Sequence, residues 1–247
     1  MTDRCLVLVI WRCPLSRVIN PFIFGSGSAG FGDELLLFRG ISGVTNKGSL
    51  LSRNATYLGG MGVTADTGSG GSVAYLLDGT DDGLSFSQVG VGAGDFTVAA
   101  WFKLASKPSF APLFVENSGT GPGAHSIQID YHGASDRIRF GLFAGNSYVS
   151  AVATSFGSPT IGIWYLAIAD FTFSTKQMRL MVNGLANTST FPSAQTNAVT
   201  NATCGIGFHP RYIRFFPGLI DDVRYFGRLL TATEKSDWLS AGRGYDA

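Results

Sequence analysis

The C-terminal stretch of residues 218–242 constrains the fold more than any other part of the sequence, because it changes from a strand pattern to a helix pattern within a few residues. Ile220, Val223 and Tyr225 lie in a run that is rich in β-forming residues. Gly227 interrupts this run. We therefore predict a strand that ends near Gly227 and is followed at once by a different element.

The element after this strand begins with a helix-start signal. Thr231 is followed three residues later by Glu234, which is the spacing of a capping box, where each side chain bonds to the backbone N–H of the other residue. We predict a short helix from Ala232 to about Leu239. Gly242 follows it, and a glycine commonly ends a helix at such a position.

Three earlier motifs, taken together with this strand and helix, resemble one family. In chain order the motifs are Leu76–Leu84 (LLDGTDDGL), Asp95–Lys103 (DFTVAAWFK), and Trp164 followed by Arg179–Gly184 (RLMVNG). From roughly Leu35 to Gly244 the chain is similar to the laminin-G-like, concanavalin A-like lectin and glucanase jelly rolls. The resemblance implies an all-β fold, an antiparallel β-sandwich (jelly roll) with an N-terminal extended arm and a short C-terminal helix.

The composition agrees with a sandwich of many short strands. The chain has 33 glycines, which suit tight turns, and 19 phenylalanines, which fill the space between two sheets. We expect Trp101 and Trp164 to be buried and Trp238 to pack the helix onto the sandwich. The residues predicted for the inner faces of the sheets are Phe96, Val98, Ala100, Leu180 and Val182.

We divide the chain into residues 1–32, an apolar arm with a Gly/Ser connector, and residues 33–247, the laminin-G-like sandwich. The apolar residues proposed for the arm are Leu6, Val7, Leu8, Val9, Ile10 and Trp11. This run is far shorter than the roughly 20 residues of a membrane-spanning helix, and it lacks the small residues of a cleavage site. We expect it to add a strand to a sheet edge of its own domain or of a neighbour.

Charge and aromatic residues point weakly to a binding surface. The formal net charge of +1 gives no field for nucleic acid or for an anionic membrane. Arginine and exposed aromatic rings are common anchors of interfaces, so we propose a set of glycan or partner contacts. That set is Tyr131, Tyr148, Arg211, Tyr212, Arg214 and Phe216. The alternative is a solvated loop with arginines at strand ends.

Hydrolytic chemistry is not expected. Retaining glucanases with this fold carry two glutamates and an aspartate at alternate positions of one strand, which sets the carboxylates at the required separation. The chain has three glutamates, Glu34, Glu116 and Glu234, and none has such neighbours. We expect the protein not to be an enzyme.

No cofactor is expected to be required, although the resemblance implies a calcium ion near the rim of the sandwich. Asp221 and Asp222 would be its ligands, because calcium selects hard oxygen donors. In the alternative interpretation these aspartates cap a turn or pair with Arg224 or Arg228.

Two classes of function remain. In the first, the chain is a non-catalytic, lectin-like structural protein of a multi-subunit assembly, namely a bacteriophage virion surface, decoration or fibre component. It would contact other structural proteins and copies of itself as a homo-oligomer, and it would also bind cell-surface polysaccharide. In the second, it is a free carbohydrate-binding or adhesion module of a cellular protein, located outside the cell or on its surface. The first class rests on the fold and on the apolar arm.

Overall fold

The computed structural model describes residues 33–40, 43, 45–49, 53–66, 68–71, 73–89, 94–118, 125–144, 147–192 and 202–243. The arm and its connector, residues 1–32, lie outside the described residues, so the arm and the division at residue 32 stay predictions. The described strands are β1 (Leu36–Phe38), β2 (Thr56–Leu58), β3 (Gly62–Ala65), β4 (Val73–Asp78), β5 (Gly83–Ser87), β6 (Phe96–Leu104), β7 (Phe110–Asn117), β8 (His125–His132), β9 (Arg137–Ala144), β10 (Ser147–Val152), β11 (Trp164–Thr172), β12 (Gln177–Val182), β13 (Leu185–Thr190), β14 (Thr203–Ile206), β15 (Phe208–His209), β16 (Arg214–Phe215) and β17 (Pro217–Phe226).

The long strands form two antiparallel sheets. Sheet A has the order β13-β12-β11-β6-β17-β4-β3, and β1 pairs with the second half of β17. Sheet B has the order β10-β9-β8-β7-β14-β5-β2. A separate two-stranded hairpin of β15 and β16 follows β14 in the chain. The predicted antiparallel β-sandwich is therefore confirmed.

The space between the sheets is filled by alternate residues of the strands, as period-two patterning requires. The five residues predicted for the inner faces, Phe96, Val98, Ala100, Leu180 and Val182, all lie in this core. Aromatic rings give it much of its volume. Phe96 contacts the rings of Phe140, Phe171 and Tyr225 with centroids 5.6–6.3 Å apart, and such pairs add to the stabilisation that comes from area burial.

A helix, α1 (Ala232–Ala241), covers the outer face of sheet A. Its capping box is present in full, and Gly242 follows its last residue, so the predicted helix is confirmed. Trp101 and Trp164 are buried, as predicted, but they lie in this outer layer with Trp238 of the helix and not between the sheets. Among the described residues no helix has the length and apolar character needed to cross a bilayer.

A β-bulge in β17 breaks the alternation of that strand. Asp221 lies opposite Trp101, and Arg224 lies opposite Ala99, so two residues of β17 face one position of β6. Asp222 has a positive φ of 48° at the bulge, a backbone region that aspartate tolerates better than most residues. Val223 points into the core, whereas Asp221, Asp222 and Arg224 belong to one polar network on the side of α1.

Candidate functional site

A pocket of about 370 Å³ lies on the outer face of sheet B, opposite the face that packs on sheet A. The hairpin of β15 and β16 forms one of its walls. Its lining residues are Phe110, Asn117, Ser126, Gln128, Arg139, Phe143, Tyr148, His209, Arg211, Tyr212 and Arg214. The pocket thus combines aromatic rings, polar side chains and arginines, at a volume near the lower end of small-ligand sites, about 300–1,000 Å³.

Strand alternation builds the floor of the pocket. In β8, Ile127 and Ile129 enter the core, so Ser126 and Gln128 face outward. In β9 the same alternation turns Arg139 toward the pocket. Polar residues at these outward positions interrupt what are otherwise apolar strands, and they would be an unusual choice for a face that packs against protein.

Tyr148 lies across Gly141, a glycine of the neighbouring strand β9. A Cβ atom added to Gly141 would come within 2.6 Å of the Tyr148 hydroxyl oxygen and within 3.0 Å of its ring. The missing side chain therefore lets the phenol ring lie over the strand. The ring remains 45% exposed, and Gln128 Nε2 lies 3.4 Å from the hydroxyl oxygen as a donor. The arrangement presents an aromatic surface that a ligand can cover.

His209 holds the loop between β15 and β16 in place. Its Nδ1 accepts bonds from the backbone N–H groups of Arg211 and Tyr212, with nitrogen separations of 3.2 and 3.4 Å. Its ring lies 4.6 Å from the Tyr212 ring and 5.9 Å from the Phe110 ring, measured between centroids. Tyr212, 54% exposed at the loop tip, is therefore presented by a fully buried histidine.

The same histidine is kept neutral. Desolvation, with a smaller effect from the charge of Arg211, lowers the pKa of His209 from its ordinary 6.5 to about 4. Because Nδ1 accepts, the ring proton is placed on Nε2, and Nε2 has no hydrogen-bond partner among the described residues. The buried Oγ of Ser126 is likewise unpartnered within that part of the chain. Both atoms belong to residues that line the pocket, and both are themselves buried.

An ion pair with the buried Asp130 holds the Arg139 side chain in place. Its guanidinium group lies 2.9 Å from the buried Asp130 carboxylate, which also accepts a bond of 2.9 Å from Gln128. Burial raises the pKa of Asp130 to about 6, and Arg139 opposes that rise. The ion pair fixes the direction of Arg139 at the pocket floor.

The structure brings together four of the six predicted contact residues and separates the other two. Tyr148, Arg211, Tyr212 and Arg214 all line the pocket. Tyr131 and Phe216 are buried in the core between the sheets, so the prediction that their rings are exposed is wrong. Tyr131 continues the inward alternation of β8 and donates to Asp136 at 2.9 Å, and Phe216 packs edge-on against Phe102.

Sequence reasoning missed much of the pocket lining. The missed residues are Phe110, Asn117, Ser126, Gln128, Arg139, Phe143 and His209. The outward polar positions of β8 and β9 were a usable signal, because they alternate with buried isoleucines. For His209 no local pattern could have predicted its partners, which depend on the fold of the following loop.

Asp221 and Asp222, the predicted calcium ligands, are occupied by cationic partners. Arg224 binds Asp222 side-on with nitrogen–oxygen distances of 2.8 and 3.0 Å, and Arg39 donates to the same carboxylate at 3.0 Å. Arg243 donates to Asp221 at 3.1 Å. Of the pairs that the sequence allowed as the alternative, the structure contains the one between Asp222 and Arg224, whereas Arg228 pairs with Asp33 and Glu234. The arginine partners leave a calcium ion little of the anionic charge that would attract it.

A second acidic group lies in the turn after β4. One carboxylate oxygen from each of Asp78, Asp81 and Asp82 falls within 4.8 Å of the others. Asp78 also accepts bonds from the backbone N–H groups of Thr80 and Asp81 at 2.7 and 3.3 Å, which is turn chemistry. Hydrogen bonds of this kind are sufficient to explain the position of the Asp78 carboxylate in the turn.

We expect calcium added to EDTA-treated protein to leave the melting temperature unchanged, because Asp221 and Asp222 already have arginine partners and ligand-linked stabilisation requires binding. Differential scanning calorimetry measures this. A calcium-dependent rise that is lost in Asp222→Asn would place an ion in the arginine network and contradict the expectation. A rise lost in Asp81→Asn alone would instead place it in the turn after β4.

The three glutamates serve different parts of the structure, and none lines the pocket. Glu34 pairs with Arg224 at 2.9 Å. Glu234 pairs with Arg228 at 2.7 Å and completes the capping box. Glu116 is buried beside β5 and accepts from the backbone N–H of Val89 at 3.1 Å.

Two packed antiparallel sheets with a polar and aromatic pocket on one outer face define a lectin-like β-sandwich. The chain belongs to the concanavalin A-like lectin/glucanases superfamily, whose sequence profile matches residues 78–234. The matched region includes every pocket-lining residue. No curated protein sequence matches the chain.

Several solved structures share this fold with the chain. Domain 4 of AbnA, a GH43 extracellular arabinanase from Geobacillus stearothermophilus solved with arabinotriose, has a TM-score of 0.65 and 17% identity over 84% of this chain and 98% of that one. The binding domain of Paraclostridial Mosquitocidal Protein 1 has a TM-score of 0.61 and 11% identity, and it covers 84% of this chain. The botulinum neurotoxin serotype D binding domain has a TM-score of 0.57 and 13% identity over 83% of this chain.

The present chain spans about half of each toxin binding domain, 51% and 50% respectively. At these identities the likeness shows a shared fold.

Proposed function

We propose that the protein binds glycans, without catalysing their hydrolysis, through the pocket on the outer face of sheet B. The observation that carries the proposal is a pocket that combines two exposed tyrosines, Tyr148 and Tyr212, with polar side chains at the outward positions of the strands of sheet B. A sugar has apolar C–H faces, which can cover an aromatic ring. It also has hydroxyl groups, which accept or donate hydrogen bonds. A pocket with both kinds of surface fits such a ligand better than a purely apolar one.

The family supports this proposal, and so does the similar arabinanase domain that was solved with arabinotriose. The absence of a carboxylate among the described lining residues supports binding without hydrolysis, because glycoside hydrolysis uses a pair of carboxyl groups beside the bond. Turnover of a bound oligosaccharide that is lost with a single carboxylate substitution would overturn the non-catalytic part.

Assembly into a virion surface stays a prediction from the sequence. It depends on the apolar arm from Leu6 to Trp11, which lies outside the described residues. Self-association and contacts with other structural proteins also stay predictions from the sequence. Size-exclusion chromatography with light scattering, on the full chain and on a chain that starts at Asp33, tests this role. Identical oligomeric states for the two would remove its main support.

Replacing Tyr148 or Tyr212 with alanine is expected to weaken glycan binding by roughly 5- to 30-fold, because loss of an aromatic contact costs about 1–2 kcal/mol. Calorimetric titration measures the change, with arabinotriose as the first probe and a panel of oligosaccharides after it. Tyr57→Ala is the matched control, since Tyr57 is also exposed on sheet B but lies on β2 at the far edge from β10. Equal losses in the control and the pocket variants would contradict the proposed site.

A further inference from the structure

The charged residues among those that line the pocket are all of one sign. Three of its lining residues are arginines, Arg139, Arg211 and Arg214, and none of the described lining residues is aspartate or glutamate. The whole chain has a formal net charge of only +1. The positive charge is therefore concentrated locally, and a cleft lined by charges of one sign attracts ligands of the other.

Two of the three arginines have no ion-pair partner among the described residues. Arg139 is paired with the buried Asp130, so its charge is largely offset. For Arg211 and Arg214, no ion pair is found within the part of the chain that the structure describes. The pocket consequently has two exposed guanidinium groups beside its aromatic rings. Guanidinium groups bind carboxylate and sulfate groups through parallel, charge-assisted hydrogen bonds.

The arginines are also positioned in relation to the rings. The Arg211 guanidinium carbon lies 4.9 Å from the centroid of the Tyr212 ring, a stacking contact that limits its movement. Arg214 lies on β16 opposite His209 in the register of the hairpin, and Arg211 lies in the loop that His209 holds. An anionic group held there would leave the sugar ring to cover Tyr148 and the floor of β8 and β9.

We propose that the pocket selects acidic sugars, whose carboxylate or sulfate group binds Arg211 and Arg214 while the sugar ring contacts Tyr148 and Tyr212. The proposal rests on the glycan-binding function above and adds the chemical class of the ligand. Phosphodiester chains also carry negative charge, but the hydrogen-bonding floor of Asn117, Ser126 and Gln128 suits the hydroxyls of a sugar better than a bare backbone anion.

The decisive experiment compares ligands that differ only in charge. Calorimetric titration uses 3′-sialyllactose against its methyl ester, trigalacturonate against its methyl ester, and a heparin tetrasaccharide against its desulfated form. At least one anionic ligand is expected to bind about tenfold or more tightly than its neutral counterpart, since charge-assisted hydrogen bonds are roughly twice as strong as neutral ones. The pair that responds distinguishes a carboxylate from a sulfate.

The variant Arg211→Gln/Arg214→Gln is expected to lower the affinity for that anionic ligand by about tenfold or more and so to abolish its advantage over the neutral counterpart. Arg137→Gln is the matched control, because Arg137 lies on the same strand as Arg139 but outside the pocket lining. Equal binding of charged and neutral partners would overturn the inference and leave the proposed function standing. No binding by any oligosaccharide would overturn both. Equally tight binding of a single-stranded oligonucleotide would show a general polyanion site and overturn the assignment to sugars.

Discussion

Replacing Arg224 with methionine is expected to lower the free energy of unfolding by about 3–5 kcal/mol, the cost of breaking a buried ion pair by removing one partner. Arg224 is fully buried and binds Asp222 side-on and Glu34 at 2.9 Å. Its guanidinium carbon also lies 4.6 Å from the Trp238 ring centroid. Without the arginine, two carboxylates would remain in a dry environment with too few positive charges.

Urea unfolding followed by tryptophan fluorescence measures this loss. Arg228→Met is the control, since Arg228 pairs with Asp33 and Glu234 where its side chain is 34% exposed, and an exposed pair contributes about 1 kcal/mol or less. The double variant Asp222→Asn/Arg224→Met should lose less than the sum of the single changes, because both charges are removed together. If Arg224→Met lowers the free energy of unfolding no more than Arg228→Met does, the buried contacts of Arg224 do not stabilise the layer between sheet A and α1 as expected.

Replacing His209 with asparagine is expected to remove about 3 kcal/mol of pH-dependent stability between about pH 7 and pH 4. The pKa of His209 is about 4 in the folded protein, against 6.5 for an ordinary histidine, because burial disfavours the charged ring. As the pH falls below 6.5, His209 becomes protonated in the unfolded chain, whereas in the folded chain it becomes protonated only at about pH 4. The stabilising contribution is therefore complete above pH 6.5 and is lost as the pH falls.

The free energy of unfolding has to be compared between wild type and variant at each pH, because other ionisable groups change the stability with pH in the opposite direction. Burial raises the pKa values of Asp130 and Asp221 to about 6, so these acids favour the folded state as the pH falls below that value. Asparagine keeps an acceptor near the position of Nδ1 and cannot titrate. The difference in unfolding free energy between the two proteins should shrink toward low pH. Parallel curves would mean that His209 has the same pKa in the folded and the unfolded chain, and would contradict the expectation.

The core between the sheets was predictable because it follows alternation within single strands. Phe96, Val98 and Ala100 are spaced by two residues in β6 and share one face. The same rule, applied to β8, would have placed Tyr131 in the core with Ile127 and Ile129. The misassignment of Tyr131 came from its nearness to a turn, whereas the pattern of the whole strand decides its direction.

Other features lay beyond any local pattern. The bulge at Asp222 gathers Asp221, Asp222 and Arg224 on one side, although strict alternation would have separated the two aspartates. The pocket joins Phe110 to Arg214, residues that are distant in sequence and meet only because the hairpin folds back over sheet B. Arginine and tyrosine near residues 211–214 indicated a contact surface, but the sequence could not show which strands would complete it.

The arginine network also determines how the sandwich can be displayed. Asp33 and Arg243, the outermost described residues, are both tied to the side of sheet A, the first through Arg228 and the second through Asp221. The pocket opens on sheet B, the opposite side. The two ends of the described sandwich therefore lie on the face away from the pocket, and a large polymer can approach the pocket without passing residue 33 or residue 243.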